Sequence, residues 1–204
     1  VLGNSPITEN YIKKVDMLKK TGVIQSFISL NPNPTETKYI KETPNFGFKT
    51  IDKENPVIVM LDHLEDPHNF GAIIRTCEAL GIDGIIIPND RTVGINATVV
   101  KTSAGAIYNM PIIRVANLTS TIEKLKDIGY WIVGTDMNGE NYKEIDYNMP
   151  VCLIIGNEGK GISDIVRKNC DYIASIPMIG KINSLNASVA AGIFIYEVVR
   201  QRSN

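Results

Sequence analysis

Three short polar stretches carry side chains able to do chemistry, and each stands beside an apolar run. The first is Asp66-Pro-His-Asn-Phe-Gly-Ala-Ile-Ile-Arg75. Helical spacing puts Gly71 one turn before Arg75, so nothing obstructs the arginine stem, and Asn69 is placed as the helix N-cap. A permanent cation above a cleared helix face suits an anion; taken alone, it also fits an ordinary surface arginine. The second stretch is Gly156-Asn-Glu-Gly-Lys-Gly161. Its glycines allow a tight turn and a close approach to a ligand, but it lacks the Walker spacing and the dinucleotide fingerprint. Glu158 would repel a phosphate, so the stretch suits a sulfonium, an amino group or a hydroxyl.

The third stretch is Ser184-Leu-Asn186, with Asn183 just before it. If it is extended, Ser184 and Asn186 point the same way, and Leu185 points opposite, into an apolar slot. Small polar residues beside the open N–H groups of a helix are placed to hold a ligand, although such residues most often serve as N-caps. The helix that follows has Leu185, Val189, Ile193 and Tyr196 at steps of four, four and three, with Ala190, Ala191 and Phe194 between. Apolar nearly all round, it belongs deep in a core or against a partner.

The elements that must position these stretches alternate along the chain. Strands are predicted at Val57–Leu61, Gly84–Ile87, Ile112–Val115, Trp131–Gly134, Val151–Ile155 and Tyr172–Ile176. Helices are predicted at Asn69–Leu80, Asn96–Ile107, Thr119–Ile128, Ser163–Asn169 and from the third stretch to about Arg200. Strands apolar on both faces and separated by helices give an α/β fold, a parallel sheet covered by helices on both faces. Ligands then bind beyond the carboxyl ends of the strands. Before a boundary near Lys53–Pro56 lies a short N-terminal α/β segment, residues 1–55. It has a helix pattern over Thr8–Leu18, a strand pattern over Val23–Leu30 and a turn at Asn31–Pro34.

Size and composition bound the function. With 204 residues and 44% hydrophobic content, the chain fits a soluble globular protein of one domain plus an appendage. No apolar run is long enough for a membrane span, and no signal-peptide pattern opens the chain. Cys77, Cys152 and Cys170 read as reduced core cysteines of a cytoplasmic protein. His63 and His68 lack cysteine partners, so no metal site is expected. A net charge of −1 supplies no general attraction to nucleic acid; basic residues would have to cluster in space. Candidates are Lys13, Lys14, Lys19, Lys20, Arg91, Lys101, Lys160, Arg167, Lys168 and Lys181.

Taken together, Asn69-x-Gly71-x-x-x-Arg75, Gly156-x-Glu158-Gly159-x-Gly161 and Ser184-Leu-Asn186-x-Ser188-x-Ala190 resemble the three motifs of the SpoU/TrmH family of RNA ribose 2′-O-methyltransferases, in the SPOUT superfamily. The resemblance covers roughly residues 56–202. It is closest to the RlmB-like branch, which acts on a guanosine of 23S rRNA. Leu61-Asp62, Asp66-Pro67, Lys101-Thr-Ser-Ala-Gly-Ala106, Val115-x-Asn117-Leu118 and Gly134-Thr-Asp136 carry that closeness. The opening Val1-Leu-Gly-x-x-Pro-Ile-Thr-Glu9 is similar to the start of that branch's ribosomal-protein-like RNA-binding domain.

The resemblance implies S-adenosylmethionine as methyl donor, a C-terminal trefoil knot, a homodimer, and RNA as substrate, rRNA ahead of tRNA. It implies that Arg75 acts on the ribose hydroxyl, as a base or by fixing the neighbouring phosphate. The second is favoured, because a guanidinium keeps its proton. Asn69 and Glu158 would place Arg75 and the ribose, with Ser184 and Asn186 close by. Gly156, Ile176 and Leu185 would hold the donor through their backbone, with Thr135 in contact. The rival readings are a tRNA methyltransferase, a non-catalytic RNA-binding ribosome-assembly factor, and a nucleotide-binding protein, which Glu158 disfavours.

Overall fold

The structure is a computed structural model that describes residues 54–182 and 184–203, and the backbone of residues 26 and 27. The expected helix over Thr8–Leu18, the expected turn at Asn31–Pro34, and Lys13, Lys14, Lys19 and Lys20 lie outside the described residues. Of the expected strand Val23–Leu30, Ser26–Phe27 is a strand.

In chain order the strands are β1 (Ser26–Phe27), β2 (Val57–Leu61), β3 (Gly84–Pro88), β4 (Ile112–Val115), β5 (Trp131–Asn141), β6 (Val151–Ile155) and β7 (Tyr172–Ser175). The helices are α1 (Pro67–Ala79), α2 (Ala97–Thr102), α3 (Leu118–Asp127), α4 (Asp164–Arg167) and α5 (Ala187–Arg202). The sheet order is β1-β4-β3-β2-β6-β5-β7. Strands β2 to β7 run parallel, and β1 joins the β4 edge antiparallel.

Every residue of β2, β3 and β6 is buried, as a sheet covered on both faces requires. The strand period of two sorts the side chains between two cores. Val57, Val59, Leu61, Val151, Leu153 and Ile155 join Phe70, Ile73, Val99, Phe194 and Ile195 on one face. Ile58, Met60, Cys152 and Ile154 join Leu118, Ile122, Leu125 and Val166 on the other. So α1, α2 and α5 cover one face, and α3 and α4 the other. Burial raises the thiols of Cys77 and Cys152 well above their ordinary range, and Cys170 to about 11. All three are free cysteines.

Local signals explain where α1 begins and ends. Asp66, not Asn69, is the N-cap: its carboxylate accepts from His68 N at 3.0 Å, and Pro67 fills the first helical position, where no N–H is needed. The helix stops in a Schellman motif, with Ile82 N donating to Cys77 O and Gly81 N to Glu78 O. Gly81 supplies the positive φ (71°) that this turn needs. Gly71 also differs from expectation. A Cβ there would lie 1.8 Å from Thr102 Oγ1 and 3.0 Å from Val99 O, so the glycine admits α2 against α1 and does not clear a path for Arg75.

Two further elements depart from their predicted form. Strand β5 runs beyond Gly134 to Asn141: it leaves β7 after Thr135 and rejoins it at Glu140, pairing with Ala174 both times. The region predicted as the helix Asn96–Ile107 is the short α2, capped by Asn96, then a 3-10 turn over Ala106–Tyr108. Left-handed conformations at Ala104 and Gly105 separate the two.

Candidate active site

Strands β5, β6 and β7 all end on one side of the sheet, and the chain after each returns to the same place. There they enclose a cavity of about 530 Å³, a size that holds a nucleoside-sized ligand. The excursion of β5 contributes Thr135 to Asn138. The turn after β6 contributes Ile155 to Gly161, and the segment after β7 contributes Ile176, Met178, Ser184 and Leu185. Ala187, Ala190 and Phe194 of α5 form the floor. Thr135, Gly156, Ile176 and Leu185, expected around a donor, therefore line one cavity, together with Glu158 and Ser184.

The turn after β6 is tightly built. Asn157 and Gly161 exchange two backbone hydrogen bonds of 2.9 Å, and Asn157 Oδ1 accepts from Gly159 N at 2.9 Å. A Cβ on Gly156 would lie 2.2 Å from the carbonyl carbon of Gly161. The space beside Gly156 is thus taken by the turn's own backbone rather than kept for a ligand. Gly161 has φ 68°, in the region that favours glycine.

Glu158 stands at the tip of this turn, and Asn69 Nδ2 donates to its Oε1 at 3.0 Å. That bond joins the first and second polar stretches. Asn69 is 6% exposed, so its amide is held where it can orient the carboxylate. Arg75, two turns further along α1, is exposed and makes no hydrogen bond or ion pair among the described residues. It does not line the cavity.

The third stretch departs from its expected geometry. Ser184 and Leu185 both face the cavity, whereas Asn186 turns back onto the helix. Its Oδ1 accepts from Ser188 N at 3.0 Å, Val189 N at 3.3 Å and Ser188 Oγ at 2.6 Å. The reason is the open N–H groups of α5's first turn, which outcompete alignment with Ser184.

Sequence reasoning assigned no site role to Asp136, and placed Arg167 only among scattered basic residues. The two form an ion pair on the cavity wall. Arg167 Nη2 also donates to Asn138 O at 3.0 Å, and Asn138 N donates to Asp136 Oδ1 at 2.9 Å. The readable signal was the carboxylate straight after Gly134-Thr135. Among the described residues no group of three or more His, Cys, Asp or Glu side chains is placed to bind a metal ion. No helix among them is long and apolar enough to cross a membrane.

Comparison with known proteins agrees with this geometry. The model of the SpoU rRNA Methylase family matches residues 56–196. A Staphylococcus saprophyticus protein named for the TrmH family of tRNA/rRNA methyltransferases is 53% identical over 156 residues, 76% of this chain and 62% of that one. The chain thus spans less than two thirds of the length of that relative. The crystal structure of the SpoU methyltransferase AviRb from Streptomyces viridochromogenes, in complex with AdoMet, superposes with TM-score 0.69. That similarity is 36% in sequence and covers 74% of this chain and 60% of that one. The A. aeolicus TrmH/SpoU tRNA modifying enzyme has TM-score 0.69 at 28% identity, covering 98% and 85%. A parallel sheet covered on both faces, three motif stretches brought to its carboxyl edge and a family match across 56–196 lead to one conclusion: the chain belongs to the SpoU rRNA Methylase family.

Proposed function

We propose that the chain transfers a methyl group from S-adenosylmethionine to a ribose 2′-OH of structured RNA, a guanosine of 23S rRNA being the favoured target. The observation that carries this reading is the cavity at the ends of β5, β6 and β7, with a carboxylate oriented from α1 at its edge. The fit to the donor rests on the lining. Ile155, Ile176, Leu185 and Phe194 offer apolar surface to a purine, and the Gly156–Gly161 turn offers backbone polar groups. AviRb, of the same fold, was solved with AdoMet. When bound, the donor supplies a methyl already activated on a sulfonium. The chain's part is then to align the hydroxyl and manage its proton.

In this reading Glu158, held by Asn69, accepts a hydrogen bond from the ribose or the donor. Arg75 has no carboxylate partner among the described residues and keeps its positive charge. It fixes the phosphate next to the reacting ribose, and the hydroxyl proton leaves to that phosphate or to water. Ser184 adds a hydroxyl at the cavity mouth. Residues 1–55, of which Ser26–Phe27 joins the edge of the sheet, form an RNA-binding segment, and 56–204 the catalytic domain. A second copy covers the outer row of α5, where Val189 is 51% and Tyr196 59% exposed; sedimentation at micromolar concentration should give a dimer.

A tRNA target is the second reading, favoured by the match of the A. aeolicus tRNA modifying enzyme to 98% of this chain. Mapping 2′-O-methyl sites in rRNA and tRNA from cells with and without the gene decides between them. Loss of one rRNA guanosine methylation supports the first reading. Loss confined to tRNA replaces it with the second, and no loss in either ends both.

A further inference from the structure

The Glu158 turn is fastened at both ends to a dipeptide outside the cavity. Asp62 follows directly on the central strand β2 and is only 1% exposed. Its backbone N–H continues the ladder by donating to Ile155 O at 2.8 Å. Its Oδ2 accepts from Ser163 N at 2.7 Å and from Ser163 Oγ at 2.8 Å. Its Oδ1 lies 2.5 Å from His63 Nδ1. His63, held at φ 58°, offers its carbonyl to Asn157 Nδ2 at 2.8 Å. Asn157 begins the turn and Ser163 follows its end, so both attachments lead back to Asp62 and its neighbour.

This arrangement answers a problem set by the chemistry. Glu158 is exposed, on a glycine-rich turn, and the single bond from Asn69 does not fix the backbone beneath it. A buried carboxylate left without partners is strongly destabilising. The three contacts at Asp62 are therefore held strongly, and the turn inherits that rigidity. We propose that Asp62 is a positioning residue for the candidate active site. It holds the Gly156–Gly161 turn so that Glu158 meets Asn69 in one pose, and it touches neither donor nor RNA. The proposal rests on the methyl-transfer reading above for its catalytic consequence, but not for its structural one.

The test compares the full chain with Asp62→Ala, Asp62→Asn, Glu158→Ala and the Asp62→Ala/Glu158→Ala pair. One readout is amide hydrogen exchange across residues 156–163. The other is the single-turnover rate of methyl transfer from S-adenosylmethionine to whichever of unmodified ribosomal or transfer RNA the wild-type chain accepts. In Asp62→Ala, exchange across the turn should rise roughly tenfold or more while β6 keeps its protection. Transfer should slow about 100-fold, the loss that a displacement on the ångström scale brings. Asp62→Asn keeps an oxygen that accepts from Ser163 and should recover to within about tenfold of wild type. In the Glu158→Ala background, Asp62→Ala should slow transfer less than about threefold, because a residue acting through Glu158 has nothing left to position.

Losses that multiply in the pair, or exchange across the turn that stays at the wild-type level, overturn the proposal. A wild-type chain that methylates neither RNA ends the methyl-transfer reading, and the exchange readout then decides the positioning claim alone. Should Asp62→Ala not fold, Ser163→Ala removes one of the two bonds at the turn's end. Together with Asp62→Asn it carries the same comparison.

Discussion

The two sides of the cavity are built on opposite principles. On the side of the β6 turn, polar groups are paired with other parts of the chain: Asn157 with the His63 carbonyl and its own turn, Glu158 with Asn69. Across from it, the segment between β7 and α5 leaves Met178 and Leu185 part-exposed on the cavity wall and Ile179 and Ile182 outward, with Ile179 at 101% and Ile182 at 76% exposure. Among the described residues, 177–182, 184 and 185 make no side-chain hydrogen bond or ion pair. Arg75 shares that unpaired state. The paired side is preorganised, its geometry set before any ligand arrives. The other side holds groups whose energetics improve only when something covers them.

Substitutions can break or sharpen this contrast, and the largest effect is expected at Arg75. In the proposed function Arg75→Ala lowers methyl transfer about 1000-fold, as removal of a key electrostatic group does. The melting temperature should stay put, since the side chain has no partner to lose among the described residues; an active Arg75→Ala enzyme would refute its assignment. Next comes Phe194→Ala, which opens the floor shared by cavity and core and should cost about 3–5 kcal/mol in a urea titration. Gly156→Ala on the paired side meets backbone at 2.2 Å and should cost about 2 kcal/mol. Donor affinity measured by calorimetry should fall with it. A stable Gly156→Ala protein with unchanged affinity would show the turn to be looser than described.

On the unpaired side, Ile179→Ser and Ile182→Ser should each change unfolding free energy by no more than about 0.5 kcal/mol. A loss of several times that amount would mean the segment is packed in solution, and the contrast would disappear. A small, pH-dependent effect is expected beneath the outer row of α5. Arg200 holds the Glu197 carboxyl below its ordinary value of 4.5, through bonds of 2.8 and 2.7 Å. A carboxyl with a lowered value stabilises the fold above its unfolded value and loses that contribution as pH falls through the folded one. Glu197→Gln should therefore flatten the acid limb of a stability–pH profile below about pH 4.5 by roughly 1 kcal/mol. At neutral pH the variant should be the less stable protein.

Much of the fold was legible because burial on both faces leaves a plain record. Val57–Leu61 and Val151–Ile155 are unbroken apolar runs, and both are strands over those residues. The continuation of β5 was not legible, because Asp136-Met-Asn-Gly-Glu-Asn141 is polar and turn-like. Its pairing depends on a distant strand, with Gly139 needed where a Cβ would lie 2.3 Å from Ile173 O. The final helix shows a different limit. Both its faces are apolar, so periodicity could not tell which turns inward. Ala187, Ala191, Phe194, Ile195 and Val198 are buried, while the regular row through Val189 and Tyr196 faces out.

At the site, the motif spacing picked out stretches that meet at the cavity but not the local use of each residue. Asn69 and Asn186 show why: one was expected to cap a helix and instead orients a carboxylate, and the other was expected to point with Ser184 and instead caps a helix. A carboxamide can do either, and the choice lies with neighbours that spacing does not specify, Asp66 in one case and the bare first turn of α5 in the other.

The way β5 departs after Thr135 and returns at Glu140 to the same partner, Ala174, has an evolutionary corollary. Slipping a strand by one residue would turn its whole apolar set to the wrong face. Here the detour closes on itself, so residues could be added or removed between those two points while every later rung stays aligned. The rim bearing Asp136 can in that sense change in length while the scaffold beneath it is left alone, provided that a glycine stays where Gly139 meets Ile173 O.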